Sequence, residues 1–330
     1  MSARPVWPGS GRITLALLAV VPAVLAYPWR SSRDYWVLGI AVTVVILLFG
    51  WWRGLYFTTI VRRRIAITRR RNSTPESNSD TKATVLLKLG PPASDSDVLP
   101  LPLIARYLNR YGVRADKIRI TSRDSASGTQ TWIGLTVSAA ENLEALQARS
   151  SRIPLHETTQ VAARRLADHL REIGWEANLV GAEDIPQLFA PSSDETWRAV
   201  QQGDSDYVAA YRVHADDALP DILGAIRAYQ ARETWTALEI AGSGESGARH
   251  TVAFASAFRT DTQPDAAAPV SGLTPQRGNQ RPALAALNPS STQRLDGHTD
   301  APADLLTRLD WPIPAVGAHR APLSEAASRT

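Results

Sequence analysis

Two long apolar runs lie near the start of the chain and set it apart from the more polar remainder. They cover residues 13–29 and 35–52 and are separated by the five residues Arg30–Asp34. Because an α-helix rises about 1.5 Å per residue, each run approaches the length that crosses a hydrocarbon core of about 30 Å. The pattern predicts a transmembrane helical hairpin, whose second helix covers 35–57 because the long side chain of Arg53 can reach the headgroups.

The first run alone also fits a cleavable signal peptide. Arg4 and Arg12 supply a basic n-region before the apolar stretch, and Val24-Leu25-Ala26 resembles a small-x-small cleavage site. Judged on the first run, the two interpretations are evenly matched. The second apolar run follows so closely that it favours the hairpin.

The positive charge of the chain is concentrated beside these two runs. Residues 1–71 hold 11 arginines against one acid, Asp34, whereas residues 72–330 hold 25 basic and 31 acidic residues. We expect a set of cations and tryptophans after the second run to lie at the membrane interface: Arg53, Arg62, Arg63, Arg64, Arg69, Arg70, Arg71, Trp51 and Trp52. The positive-inside rule then places both termini in the cytoplasm. Topology alone explains such an arginine flank, and recognition of anionic lipid or of a neighbouring subunit is the alternative.

Residues 83–260 carry the pattern of a cytosolic α/β domain with a mixed sheet. Period-two alternation predicts strands and 3.6-residue spacing predicts helices, in the β-α-β-β order strand, helix, strand, strand. The same order recurs over residues 207–258, where Leu219–Ile222 aligns with Leu101–Ile104. A weak internal duplication, with two α/β halves in one sheet, explains the recurrence, and chance similarity of two short segments is the alternative.

The C-terminal region, residues 261–330, is rich in Pro, Ala and Ser and shows no sustained period. Such a composition buries too little apolar surface to offset the entropy of ordering, so we expect a tail. Its apolar island, Pro282–Pro289, could dock against the domain or a partner. Deleting residues 298–330 is therefore expected to leave assembly intact. The remaining segments are a cytoplasmic N-terminus at 1–12, the transmembrane hairpin at 13–57, and a basic flank and linker at 58–82.

Motifs that carry chemistry are largely absent from the sequence. The chain has no Cys, no G-x-x-x-x-G-K-[ST] loop and no H-E-x-x-H pair. Gly242–Gly247 matches G-x-G-x-x-G, but a strand pattern follows it, so a hairpin loop is favoured over a nucleotide site. The pairs Asp95/Asp97 and Asp204/Asp206 could hold a divalent cation, although capping a turn is the ordinary role of Asp in such segments. We predict no catalytic residue, no cofactor and no metal site, and the acidic remainder argues against a nucleic-acid partner.

Eight segments of the chain carry a resemblance to a known family: Ile118–Asp124, Trp132–Val137, Asn142–Ser150, Arg152–Leu155, Arg164–Glu172, Glu233–Glu239, Gly272–Pro275 and Arg281–Pro289. They resemble the EccE family of the mycobacterial type VII (ESX) secretion systems, and the resemblance covers nearly the whole chain up to about Gly297. The segments most resemble the EccE of the third ESX system, which is linked to iron and zinc acquisition.

The resemblance implies a subunit of a protein-transport complex in the cell inner membrane. Its implied partners are EccB, EccC, which supplies the ATPases, and EccD, with a mycosin protease and the lipid bilayer. We therefore expect a multi-pass, non-enzymatic structural subunit that supports assembly and the export of substrates linked to iron and zinc acquisition. The alternative is a membrane-tethered, metal-dependent transferase-like enzyme that uses Asp204 and Asp206.

Overall fold

The computed structural model describes residues 10–25, 27, 32–49, 51–52, 55–70, 81–92, 98–148, 153–242, 250–302 and 304–311. The chain divides into two compact units, residues 1–74 and residues 75–330. The described part of the first unit is mainly helical, whereas the second unit is built around one large sheet.

The N-terminal unit contains the two apolar runs and the arginine flank. Its helices are α1 Ser10–Leu25, α2 Ser32–Phe49 and α3 Phe57–Arg70, and α1 packs against α2. Between α2 and α3, strands β1 Trp51–Trp52 and β2 Leu55–Tyr56 pair antiparallel.

The second helix ends earlier than the predicted residue 57. α2 stops at Phe49, and α3 begins at Phe57 as a separate helix. The sequence places glycines at 50 and 54, and glycine is unfavourable inside a helix because it loses more backbone entropy than other residues. Within the described ranges, no helix is both long and apolar enough to cross a membrane.

The second unit is an α/β domain whose strands pair antiparallel. In chain order the strands are β3 Lys82–Pro92, β4 Asn109–Arg110, β5 Val113–Ser125, β6 Gly128–Ser138, β7 Trp175–Val180, β8 Asp194–Glu195, β9 Val200–Gln201, β10 Tyr207–Val213, β11 Glu233–Gly242, β12 His250–Thr260, β13 Leu273–Pro275 and β14 Thr299–Asp300. The helices are α4 Leu101–Ala105, α5 Leu143–Gln147, α6 Leu155–Glu172, α7 Leu219–Ala228, α8 Gln280–Leu287 and α9 Leu305–Arg308. The sheet order is β7-β3-β6-β5-β11-β12-β10-β9-β8. In addition, β4 pairs with β5, β13 with β10 and β14 with β12.

This order matches the repeat that the sequence indicates. The three strands of the first half lie as β3-β6-β5 and those of the second half as β10-β12-β11, and β5 pairs with β11 at the centre. The two halves therefore share one sheet. Within each half, a helix connects two strands that have a third strand between them, so adjacent strands run antiparallel. The sequence predicts a mixed sheet, but every described strand pairing is antiparallel.

Helices cover one face of the sheet and the C-terminal segment helps to cover the other. The first face packs apolar residues of β3, β5 and β11 against α4, α6, α7 and α9. The second face buries Trp132 and Trp235, which stack with ring centroids 5.8 Å apart, beneath Leu284 and Leu287 of α8. Side chains alternate along a strand, so consecutive residues of β5 and β11 enter different layers.

In the described residues up to 311, the C-terminal region is folded onto the domain, in contrast to the expected tail, and residues 303 and 312–330 lie outside the described residues. The predicted apolar island docks as α8, with Leu284 and Leu287 fully buried. Beyond it, β14 pairs with β12, and Leu309 and Trp311 enter the helical face of the core. Composition alone predicts a tail because it does not show that a few widely spaced apolar residues can each enter the core. Burial of those few side chains is enough to hold an irregular segment on the sheet.

Candidate functional site

A cluster of buried charges lies on the second face of the sheet, where β5 meets β11. Arg119 is directly opposite Glu239 in the strand register, and its Nε donates to Glu239 Oε2 at 3.0 Å, with a second contact from Nη2. Lys117 Nζ lies 3.5 Å from the same oxygen, and His298 Nε2 lies 2.9 Å from Oε1. We call Lys117, Arg119, Glu239 and His298 the charge cluster. The first three side chains are at most 1% exposed.

Backbone groups of the C-terminal segment complete the hydrogen bonding of this cluster. Arg119 Nη1 donates to the carbonyls of Asn288 at 2.8 Å and Ser291 at 3.2 Å, and Lys117 Nζ donates to the carbonyl of Gln293. The amide of Leu295 donates to Glu239 Oε1 at 3.2 Å. Buried charges are tolerated only when they are paired and hydrogen-bonded, so the segment and the cluster stabilise each other.

A glycine in β6 allows this segment to lie close to the sheet. A Cβ added at Gly134 would collide with the carbonyl oxygen of Pro289. The absence of a side chain at Gly134 therefore lets the backbone after α8 approach the strand, and it brings the carbonyls that follow within reach of the buried cations.

The electrostatics of the cluster favour a charged carboxylate. Burial alone would raise the pKa of Glu239, but the hydrogen bond from His298 and the charges of Arg119 and Lys117 outweigh it and lower the pKa to about 2. Burial and the charge of Arg119 lower the pKa of Lys117 to about 7, against the attraction of Glu239. Glu239 is thus the anion on which both buried cations depend.

A second ion-pair group flanks the cluster at the start of β5. Asp116 is 3% exposed and accepts hydrogen bonds from Lys82 Nζ at 2.9 Å and from Arg294 Nη2 at 2.7 Å. Burial would raise the pKa of Asp116, but the bonds from Lys82 and Arg294 lower it. Arg294 belongs to the C-terminal segment, so its ion pair with Asp116 holds that segment to the sheet at a second point.

The aspartates considered for a metal site have different partners. Asp206 Oδ2 accepts from Arg259 Nη1 at 2.8 Å, and Asp206 Oδ1 lies 3.9 Å from Arg232. Asp204 is exposed, and its main-chain carbonyl accepts from the Tyr207 hydroxyl at 3.3 Å. Across the described ranges, no group of three or more His, Asp or Glu residues is arranged to hold a metal ion. The second pair, Asp95 and Asp97, lies outside the described residues.

The glycine-rich motif lies at a hairpin, as its sequence context predicts. β11 and β12 pair antiparallel up to Gly242 and His250, on either side of residues 243–249, which are outside the described residues. A strand follows the motif where a dinucleotide-binding loop would require a helix, so the hairpin interpretation is confirmed.

The predicted interface residues are only partly within the described ranges. Arg62, Arg63, Arg64, Arg69 and Arg70 belong to α3, and Trp51 and Trp52 form β1, whereas Arg53 and Arg71 lie outside the described residues. The side chains of Arg62 and Arg64 are exposed, as are Val61 and Ile65 on the same helix. α3 therefore exposes both basic and apolar side chains.

Sequence patterns did not single out the charge cluster. Lys117 and Arg119 alternate with isoleucines along β5, and Glu239 lies between Leu238 and Ile240. Such alternation ordinarily indicates a strand with one solvated face, so these charges are expected to be exposed. The C-terminal segment offered the missing signal, because a segment that covers this face of the sheet would bury Lys117, Arg119 and Glu239.

Comparison with known proteins gives consistent matches. Residues 126–213 match the family described as the type VII ESX secretion system translocon, EccE. The chain is 66% identical over 331 residues to the ESX-3 secretion system protein EccE3 of Mycobacterium tuberculosis strain CDC 1551, with 100% of each chain covered, and equally to that of strain H37Rv. It is 49% identical over 289 residues to the protein of the same name from Mycolicibacterium smegmatis, covering 87% of this chain and 90% of that protein.

Proposed function

Because the chain belongs to the EccE family, we propose that it is a structural subunit of the ESX-3 type VII secretion complex in the inner membrane. The observation that carries this proposal is the 66% identity, over the full length of both chains, to proteins named as ESX-3 secretion components. The role is one of assembly rather than catalysis. In the charge cluster, Lys117, Arg119 and Glu239 are buried, and their hydrogen bonds hold the C-terminal segment.

The proposed partners are the EccB, EccC and EccD subunits, with a mycosin protease, and the proposed cargo consists of substrates linked to iron and zinc acquisition. EccC would supply the ATPase activity of the complex. The buried charges of the domain are paired with one another, which leaves the surface of the domain as the part that can contact other subunits, and this supports a docking role. Purification in mild detergent tests the proposal, since a subunit is expected to co-elute with large partners. Elution of the chain alone would count against it.

We place α1 and α2 in the membrane as the anchor, with both termini in the cytoplasm. The apolar runs of residues 13–29 and 35–52 support this placement, as do the exposed Leu18 and Trp36, each 72% exposed. Interfacial positions are proposed for the nine arginines and tryptophans expected there: Arg53, Arg62, Arg63, Arg64, Arg69, Arg70, Arg71, Trp51 and Trp52.

Topology can be tested by labelling a single introduced cysteine, because the chain has none of its own. Ser32→Cys, between the two apolar runs, is expected to react with an impermeant maleimide in whole cells. Ser73→Cys, beyond the arginine flank, is the matched control and should react only after lysis. Labelling of Ser73→Cys in intact cells would reverse the proposed orientation.

The enzymatic alternative is tested at Asp204, which is exposed and lies beside Asp206. We expect Asp204→Ala to leave secretion unchanged, because surface substitutions of this kind alter stability by less than about 0.5 kcal/mol and no chemistry depends on it. Asp206 is left unchanged in this test, because Asp206→Ala would also break the ion pair with Arg259. A chain with Asp204→Ala that assembles normally but does not secrete would favour the transferase-like enzyme.

A further inference from the structure

A strained turn lies at the tip of the hairpin formed by β4 and β5. Helical spacing over residues 101–111 predicts one helix, but α4 ends at Ala105 and the chain turns through Tyr111 and Gly112, which link paired Arg110 and Val113. Tyr111 has φ +57° and is the one non-glycine residue of the described ranges with positive φ. This conformation is unfavourable for a residue with a Cβ, and such strain persists where the side chain is needed in one place.

Two guanidinium groups converge on the ring of Tyr111. Arg165 Cζ, from α6, lies 4.4 Å from the ring centroid and Arg110 Cζ lies 5.1 Å from it. Tyr107 meets the Tyr111 ring edge-on at 6.4 Å, and its hydroxyl donates to the Arg165 carbonyl at 3.0 Å. His169 Nδ1 lies 3.4 Å from Arg110 Nη1. Despite these contacts, the side chain of Tyr111 is 50% exposed.

Tyr111, Arg110 and Arg165 border a cavity of about 310 Å³ between the hairpin tip and the first turns of α6. Its apolar lining is Val113, Pro154, Val161 and Ala162, and among the described residues that line it Glu157 is the acid. We call this cavity, with Tyr111, Arg110 and Arg165, the Arg-Tyr cleft. It offers an apolar floor large enough for one or two side chains, with two cations at its rim.

Neither rim cation is neutralised by a carboxylate in the described part of the chain. Arg171, further along α6, pairs with Asp168 at 2.6 Å, whereas no ion pair to Arg110 or Arg165 occurs among the described residues. A guanidinium that packs over an aromatic ring can still direct N–H groups, along its own plane, to a carboxylate in two-point geometry. Arg110 uses Nη1 in its contact with His169, whereas Arg165 approaches the Tyr111 ring from α6. The cleft is therefore preorganised for an anion that arrives with an apolar neighbour.

We propose that the Arg-Tyr cleft binds an acidic segment of a partner protein, in which an Asp or Glu next to an aliphatic residue pairs with Arg110 and Arg165 while the aliphatic side chain enters the cavity. The charge pattern favours a single carboxylate over a polyanion, because Glu157 lines the same cavity and residues 72–330 carry more acids than bases. The proposal rests on the proposed function as a complex subunit, and it deepens that function by naming the surface and the chemistry of its partner.

Photo-crosslinking from the lip of the cleft tests this proposal in the full-length chain. Val161, which is 47% exposed and lines the cavity, is replaced by p-benzoylphenylalanine in cells, and the crosslinked peptide is identified by mass spectrometry. We expect a protein segment with an Asp or Glu beside an aliphatic residue. Adding Arg110→Glu with Arg165→Glu is expected to reduce the crosslink about tenfold or more, since charge-assisted bonds are lost and repulsion replaces them.

The matched control is Arg106→Glu, an exposed arginine of the same region that does not line the cavity, and it should leave the crosslink unchanged. Replacing the partner's Asp or Glu with Arg should restore the crosslink to the chain that carries Arg110→Glu and Arg165→Glu. Restoration would also show that this variant chain is folded. A crosslinked segment without a carboxylate, a crosslink to lipid, or equal yields from the double variant and Arg106→Glu would overturn the proposal. So would the absence of a crosslink while the chain co-elutes with large partners, whereas a chain that elutes alone counts against the proposed function itself.

Discussion

Replacing Glu239 with glutamine is expected to destabilise the sheet domain by about 3–5 kcal/mol, because it removes the buried anion that balances two buried cations. Lys117 and Arg119 would remain enclosed beneath the C-terminal segment, hydrogen-bonded to backbone carbonyls but without a carboxylate in direct contact. Urea unfolding of the full chain in detergent, followed by tryptophan fluorescence, measures the loss. Trp132 and Trp235, stacked on the same face, report it locally.

Two controls separate charge balance from general damage. Glu176→Gln, at an exposed position of β7, should change the free energy of unfolding by less than about 0.5 kcal/mol. Lys117→Met removes a cation whose pKa burial has already lowered to about 7, so it should destabilise less than Glu239→Gln. If Glu239→Gln unfolded at the same urea concentration as Glu176→Gln, the cluster would not hold the segment.

Replacing Trp311 with alanine is expected to cost about 3–5 kcal/mol, although the residue lies in a region that composition describes as a tail. Its side chain is fully buried against the helical face, and its Nε1 donates to Ser122 Oγ at 2.9 Å. Thermal unfolding of the full chain measures the loss. Trp311→Phe keeps most of the apolar contact and should cost less, since Ser122 retains its hydrogen bond with Thr131 at 2.8 Å. Equal stability of Trp311→Ala and the unmodified chain would contradict the packing.

The same contacts reverse the expectation for truncation. Deleting residues 298–330 removes His298 from the charge cluster together with the buried Leu309 and Trp311. We therefore expect this truncation to unfold the domain, whereas an unpacked tail would be dispensable. Recovery of folded, assembled chain after the deletion would restore the original expectation.

The local pattern of apolar and polar residues was sufficient to predict the elements that depend mainly on residues close together in the sequence. The two β-α-β-β repeats and the hairpin at Gly242 follow from periodicity and turn chemistry, and the structure contains both. For Pro282–Pro289 the sequence left open docking against the domain or a partner, and the structure shows α8 packed on the domain. The strand order inside each half also agrees with a duplicated unit. The pattern was wrong about the length of the second helix and about the C-terminal region, where single residues rather than periods decide the outcome.

The family, the α/β order of the domain and the concentration of positive charge near the start of the chain could all be read from the amino-acid sequence, because identity, periodicity and composition do not depend on folding. Which charges are buried and which cations remain at the surface depends on the folded structure. Arg119 and Glu239 are 120 residues apart, and they become an ion pair because β5 and β11 are neighbours beneath the C-terminal segment. Arg110 and Arg165 likewise converge on Tyr111 because a hairpin tip packs against a helix. Electrostatic energy depends on distance and solvent exposure, and folding sets both quantities.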